Sequence, residues 1–225
     1  MKSEIRMTND PLTADLPVKL ERRLQTALPG RAALDRFVPE LAYGRHFGPA
    51  AADATAAAVL ALFYQRGGEW HLPLTLRPAN MPAHANQISF PGGVTEGGES
   101  PEACAARELE EELGVCRDAV RFLGRLSPIY IFGSNFQVTP CVAVCETEIV
   151  FRPNADEVAE LLELPAPRLL DPAARGSHEI DRRGVRFTAP HIEFAIHRIW
   201  GATSMMLGEL AAVLQECVNC DVARG

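Results

Sequence analysis

This 225-residue chain has no excess of positive charge: 22 Lys and Arg stand against 29 Asp and Glu, leaving a net charge of -7. A broad cationic surface able to condense on nucleic-acid phosphates or an anionic membrane is therefore excluded, and neither is expected as a partner. A small anionic substrate stays admissible, because a bound divalent cation and a few local arginines can reverse the sign inside a cleft. No stretch reaches the roughly 18 consecutive apolar residues that a membrane-spanning helix requires, and no basic start leads into a long apolar run. Internal repeats and low-complexity blocks are absent as well. The six cysteines are scattered, and a chain with 47% hydrophobic residues needs no disulfide framework, so a reducing cytoplasm is the expected setting. Cys217 and Cys220 have the spacing of half a zinc site, but no second pair accompanies them.

What the chain does contain is enough apolar residues for one sizeable core. The expected organisation is an N-terminal extension over residues 1–50 followed by a single domain over 51–220. Residues 1–15 are polar and turn-rich and are expected to be mobile. Apolar residues at Val18, Leu20, Leu24 and Leu28 then predict a surface helix ended by Pro29 and Gly30. Thr55 to Tyr64 and Trp70 to Leu76 read as a hairpin about Gly67 and Gly68. Gln87 to Phe90 reads as a strand broken by Pro91-Gly92-Gly93, and Pro101 to Leu113 as a helix. Further strands are expected near Val120 to Leu123, Val138 to Glu146, His178 to Ile180 and Val185 to Phe187. Asp181 to Gly184 is read as the turn between the last two, and a final helix as running from Ile199 or Trp200 to about Leu214. Strands and helices mixed in this irregular order indicate an α+β fold, a mixed sheet with helices packed on it.

The chemistry concentrates between Gly93 and Val115. Ser100 is a good N-cap, Pro101 suits the first helical position, Glu102 favours the positive end of the helix dipole, and Gly114 supplies a left-handed stop. Ala106, Leu109 and Leu113 form an inner stripe. At roughly 100° per residue, Glu112 lies roughly 40° from Glu108 and Glu111 roughly 60° to the other side, so three carboxylates are expected on one exposed patch. Such crowding is repulsive until a cation neutralises it, and hard oxygen ligands suit Mg²⁺ or Mn²⁺. Arg107 is spaced to pair with Glu111. A bare run of glutamates is ordinarily a solvated helix face.

This run is not bare, because Gly93, Glu99, Arg107, Glu108, Leu109, Glu111, Glu112, Gly114 and Val115 together resemble the Nudix box, meeting each defined position of that motif. The resemblance implies a Nudix fold, a mixed sheet sandwiched between helices, and hydrolysis of a diphosphate linkage in a small nucleotide-derived substrate. It also implies Mg²⁺ or Mn²⁺ ligands at Glu108, Glu111 and Glu112 with the Gly93 carbonyl, and Glu99 and Arg107 as supporting charges, so that Glu99, Arg107, Glu111 and Glu112 form the catalytic set. A homodimer is compatible with it.

Upstream, Leu74-Thr75-x-Arg77 and Phe90-Pro91-Gly92-Gly93 resemble the coenzyme A pyrophosphatase branch, with Pro78, Pro82 and Asn86 departing from its pattern. Val138-Thr139-Pro140, Asp156-Glu157-Val158 and Ile199 to Thr203 extend the likeness downstream. It implies coenzyme A or acyl-CoA as substrate, cut to 3′,5′-ADP and a 4′-phosphopantetheine product. ADP-ribose, NADH or another nucleoside diphosphate derivative is the alternative, and a non-catalytic, nucleotide-binding regulatory domain is the alternative of another class. Arg77 is read either as a phosphate contact or as a strand-end arginine paired with a local carboxylate. His84 reads more readily as a loop residue than a catalytic one. Glu146, Glu148, Asp156 and Glu157 are left as equal candidates for a further acid, and Trp200 and Phe136 as core aromatics or stacking surfaces.

Overall fold

The computed structural model describes residues 11–80, 85–182 and 184–222. The expectations for residues 1–10, Pro82, His84 and Arg183, and for the side chain of Cys220, lie outside the described residues. The elements, in chain order, are α1 (Leu16–Leu24), α2 (Arg31–Leu34), β1 (Thr55–Arg66), β2 (Glu69–Leu76), β3 (Ile88–Ser89), β4 (Gly92–Val94), α3 (Pro101–Leu113), β5 (Arg121–Arg125), β6 (Ile129–Ile131), β7 (Phe136–Val144), β8 (Glu160–Pro165), β9 (Arg175–Arg182), β10 (Val185–Phe194), β11 (His197–Trp200) and α4 (Ala202–Val222).

β1 is the spine, because its side chains are buried on both faces. Ala58, Leu60, Leu62 and Tyr64 meet Leu109 and Leu113 of α3 on one side, while Ala57, Ala61 and Phe63 join the core beneath α1 and α4 on the other. Fully burying each large side chain of this kind stabilises by about 1.5–3 kcal/mol, so a two-faced strand fixes helices on both sides. The main sheet runs β3-β2-β1-β7-β5, with β4 on β1, β6 on β7 and β8 on β2. β1 and β7 are parallel over Thr55 to Phe63, whereas the other pairings are antiparallel, giving the expected mixed sheet between helices. Gly67 (φ 60°) and Gly68 (φ 83°) close the β1–β2 hairpin, a turn that needs positive φ at both positions. β9, β10 and β11 form a separate three-stranded sheet.

Several expectations are corrected. α1 ends at Leu24 rather than at Pro29, Val18 points outward at 57% exposure, and the segment before α1, exposed for the most part, is anchored by buried Leu12 and by the Trp70 indole, which donates to the Thr13 carbonyl at 3.0 Å. The strand at Ile88–Ser89 does end before Pro91, as expected, but Gly92 and Gly93 then open a new strand, β4, passing β1 so closely that a Cβ on Gly92 would lie 2.3 Å from the Ala58 carbonyl oxygen. β8 was not anticipated, since Glu160-Leu-Leu-Glu-Leu carries no strand alternation, and neither was β6. Ile199 and Trp200 belong to β11, entered through a turn with Ala195 at φ 52° in place of a glycine or asparagine signal. The last helix therefore starts at Ala202 and continues beyond Leu214 to Val222.

Candidate active site

The helix that carries the acids is built as its sequence prescribes. The Ser100 hydroxyl accepts from the Ala103 amide at 3.2 Å, Pro101 opens the first turn, and Gly114 (φ 67°) closes the last with its amide on the Glu110 carbonyl at 3.0 Å. Cys104, Ala105, Ala106, Leu109 and Leu113 bury the inner stripe. The Glu108 carboxylate lies over the Gly93 backbone; a Cβ there would sit 2.3 Å from Oε1 and displace that carboxylate. The Cys104 thiol lies beneath, 3.5 Å from the Gly93 carbonyl.

Arg107 organises the charges. Its guanidinium donates to Glu99 at 2.8 Å, Glu108 at 2.8 Å, Glu111 at 3.2 Å and the Val94 carbonyl at 3.0 Å, which gathers the box loop and the helix onto one cation. The same guanidinium, with the Glu96 amide, holds the Glu99 carboxyl down at about 2. The expected pairing with Glu111 is thus one of three.

The three box carboxylates do not share one exposed patch. Glu111 is half exposed, Glu108 is mostly covered, and Glu112 is only 3% exposed, with Thr75 of β2 and the Gly92 backbone of β4 against it. Burial pushes the Glu112 carboxyl up to about 8; a backbone hydrogen bond from Gly92 opposes this, Glu108 and Glu157 reinforce it, and Arg77 opposes it. Glu108 is raised too, chiefly by burial and against the pull of Arg107. Among the described residues no three acids, histidines or cysteines already converge on an ion, since Arg107 holds Glu108 and Glu111. The donor set nevertheless fits a hard cation: oxygen ligands alone, two of them carboxyls that burial leaves short of compensating charge.

The neighbouring strand supplies what the helix lacks. Side chains alternate along β2, and Leu72, Leu74 and Trp70 enter the α4-side core, so His71, Thr75 and Arg77 project towards α3. The Thr75 hydroxyl lies 3.4 Å from Glu112 Oε2 and 3.4 Å from the Ser89 hydroxyl. Arg77 Nε is buried with no hydrogen-bond partner among the described residues, and its charge acts on Glu112. Arg77 is held by the connector, its amide on the Gln87 carbonyl at 3.0 Å and its carbonyl taking the Asn86 amide at 3.2 Å. Asn86, which stands where the branch pattern has glycine, adopts φ 57°.

Of the four extra acids, Glu157 is the one whose charge acts on both Glu108 and Glu112. Its loop docks on the end of α3, with the Arg152 amide on Leu113 O and the Asn154 amide on Glu112 O, both at 2.8 Å, and the Asn154 side chain holds Glu157 at 3.1 Å. Glu146 instead pairs with Arg121 at 2.7 Å. Phe136 packs against the core and Trp200 lies edge-on to His178, and both are half-buried. Thr75 was named in the sequence only as part of the branch motif and Ser89 only within a strand, neither with a role at the site, and Asn154 went unread; period-two alternation through Thr75 and Arg77 was a further signal for the first. A cleft of about 940 Å³ lined by Tyr64, Arg66, Trp70, Phe151 and Glu163 lies at the hairpin end of β1 and shares no residue with this cluster.

A model of the NUDIX domain family matches residues 54–183. The chain belongs to the Nudix hydrolase family. It is similar to an uncharacterized Nudix hydrolase, NudL, of Cronobacter sakazakii, at 32% identity over 185 residues, covering 81% of this chain and 95% of that protein. A NudL of Photorhabdus laumondii is 34% identical over 145 residues, covering 64% and 77%. Among solved structures, a Nudix hydrolase of M. smegmatis, RenU, is 18% identical with a TM-score of 0.47 over 76% of this chain and 87% of its own, too low to add to the fold described above. This Nudix hydrolase is accordingly an enzyme of a family that in general depends on a divalent metal. Among its described residues no helix is long and apolar enough to cross a membrane.

Proposed function

We propose that this Nudix hydrolase cleaves the diphosphate of coenzyme A or an acyl-CoA in the cytoplasm, giving 3′,5′-ADP and a 4′-phosphopantetheine product. Arg77 carries the reading. It stands at the branch motif position, on the face of β2 that looks at Glu112, with a buried Nε that no described residue satisfies. A substrate phosphate would fill that open donor and match the guanidinium fork.

Glu108, Glu111 and Glu112 with the Gly93 carbonyl would hold Mg²⁺ or Mn²⁺. What a divalent cation supplies there, when bound, is a water of lowered pKa and neutralisation of phosphate charge. The rest falls to the chain's own groups. Arg77 binds and orients the diphosphate, and Arg107 fixes Glu108 and Glu111 while Glu99 anchors Arg107 in turn. Glu157, held by Asn154, is the nearest further acid able to take a proton from an attacking water. Residues 51–220 form the hydrolase unit and residues 1–50 its extension.

The test is incubation with coenzyme A, and separately with ADP-ribose and NADH, with Mg²⁺ or Mn²⁺ and products identified by mass. Metal-dependent 3′,5′-ADP from coenzyme A alone is expected. AMP from ADP-ribose or NADH, with coenzyme A untouched, would mean that Pro78, Pro82 and Asn86 have rebuilt the pocket. No turnover of any substrate would favour a binding domain.

A further inference from the structure

The Thr75 side chain is anomalous where it stands. It is 1% exposed, on a central strand between β3 and β8, flanked by Leu74 and Leu76. A β-branched apolar residue would fill that volume without burying a hydroxyl, which costs free energy unless it is hydrogen-bonded. The partners it has are the Ser89 hydroxyl directly across the β2–β3 pairing, the Ser89 carbonyl at 3.5 Å, and Oε2 of the buried Glu112. Carboxylates accept and hydroxyls can do both, so Ser89 can donate to Thr75 while Thr75 donates to Glu112, a relay with one direction. β3 is itself fixed from outside, since the buried Thr203 hydroxyl of α4 donates to the Ile88 carbonyl at 2.8 Å.

We infer that Thr75, backed by Ser89, is a positioning residue that orients the Glu112 carboxylate for the metal. The inference rests on the reading of Glu112 as a ligand. Oε2 is the oxygen that the hydroxyl holds towards the strand. Apart from the backbone hydrogen bond from Gly92, Thr75 is the group that fixes Glu112 among the described contacts, because Arg107 reaches Glu99, Glu108 and Glu111 instead. The two arms of the site thus have separate orienting devices: an arginine for the half-open acids and a hydroxyl relay for the buried one. Groups that orient metal ligands from behind typically change affinity or activity by about 10- to 100-fold when removed.

The experiment compares wild type, Thr75→Val, Thr75→Ser and Glu112→Gln as full-length chains. Mn²⁺ binding to the metal-free proteins is read by the loss of free-ion electron paramagnetic resonance signal, alongside thermal unfolding in chelator and the separate values of kcat and KM. Thr75→Val preserves shape and is expected to weaken Mn²⁺ by about tenfold and lower kcat with little change in KM. Thr75→Ser keeps the hydroxyl and is expected to restore both to within about threefold, while Glu112→Gln abolishes tight Mn²⁺ binding. Wild-type Mn²⁺ affinity in Thr75→Val, with Glu112→Gln defective, would overturn the positioning role and spare the ligand assignment. Undiminished binding in Glu112→Gln would overturn both. Failure of Thr75→Ser to rescue would overturn the role by showing that the methyl's packing is what matters. A loss of melting temperature in chelator that is equal in the Val and Ser variants would overturn it on the same ground.

Discussion

Two helices of this Nudix hydrolase each bury a glutamate, and the two are treated in opposite ways. Glu209 of α4 is fully buried and saturated: Oε1 takes the Gly30 amide at 2.8 Å and the Ser127 hydroxyl at 2.7 Å, and Oε2 takes the Ser127 amide at 2.8 Å. It ties the segment before α2 and the β5–β6 connection to the last helix. Glu112 of α3 is almost as deep but has a backbone bond from Gly92 and one long hydroxyl contact, with Glu108 and Glu157 as like-charged neighbours. Residue type and depth are nearly matched, so what separates them is the donor set. A buried acid given three donors is a structural anchor, whereas one given few donors and acidic company is poised for a cation.

The largest effect should come from Glu112→Gln. If Glu112 is a ligand, turnover falls by about a thousandfold or more, roughly 4 kcal/mol of transition-state stabilisation, in a steady-state assay with saturating Mg²⁺. The fold survives, because the substitution removes a poorly compensated charge from a buried place; the exposed position anticipated for this residue would have given the same outcome for a different reason. A variant that keeps a tenth of the activity would erase the contrast with Glu209. The mirror experiment is Glu209→Ala, which orphans two amides and a hydroxyl. It should cost about 3 kcal/mol in urea unfolding while the surviving folded fraction keeps its kcat.

Next in size is the response to metal itself. Mn²⁺ at about a hundred times its dissociation constant stabilises the native state by about 2.7 kcal/mol, seen as a rise in melting temperature. The rise should persist in Glu209→Gln and vanish in Glu112→Gln. The pH dependence of metal-free protein sharpens the same point. Glu112 has a folded value of about 8, above its ordinary 4.5, so the unfolded chain releases that proton first. Its contribution is complete below about 4.5 and is lost as the pH rises towards 8. Urea midpoints in chelator should therefore fall over that window relative to Glu112→Gln, and saturating Mn²⁺ should remove the fall.

The legible and illegible parts of this molecule divide along the range of the forces involved. The limits of α3 were readable because Ser100, Pro101 and Gly114 act on their own turn, and Arg107, Glu108, Glu111 and Glu112 because their spacing is a property of one helix. Angular arithmetic placed Glu112 beside Glu108 and Glu111 but could not see that Glu112 would be buried with Thr75 and Gly92 against it while Glu111 stays half exposed, since those contacts come from residues far away in the chain. Choosing Glu157 over Glu146 required knowing that the 152–158 loop docks on the carbonyls at the end of α3. β8 was hidden because its sequence carries leucine on both faces: Leu162 and Leu164 are buried, but Leu161 stands with Glu163 on the other side and blurs the alternation. Glu209 gave no signal at all: it is one of three acids on α4, with Glu216 and Asp221, and only the donors of Gly30 and Ser127 reveal its role.

The smallest predicted effect lies in the connector that delivers Arg77 and Ser89 to the Glu112 side of the comparison. Asn86 sits at φ 57° and bonds back to the Arg77 carbonyl. Left-handed backbone costs an ordinary residue about 1 kcal/mol, and Asn much less. Asn86→Ala should therefore lower stability by about 1 kcal/mol, and Asn86→Gly, the residue of the branch pattern, by no more than a few tenths. Because the strain falls on the turn that sets Arg77, Asn86→Ala should raise KM for the diphosphate substrate more than it lowers kcat, whereas loss of Glu209 should move neither. Equal melting temperatures for the Ala and Gly variants would mean that backbone conformation at this turn is not what the asparagine provides. The departure from glycine would then matter through its side chain in the substrate pocket, which a changed ranking of coenzyme A against ADP-ribose in Asn86→Gly would reveal.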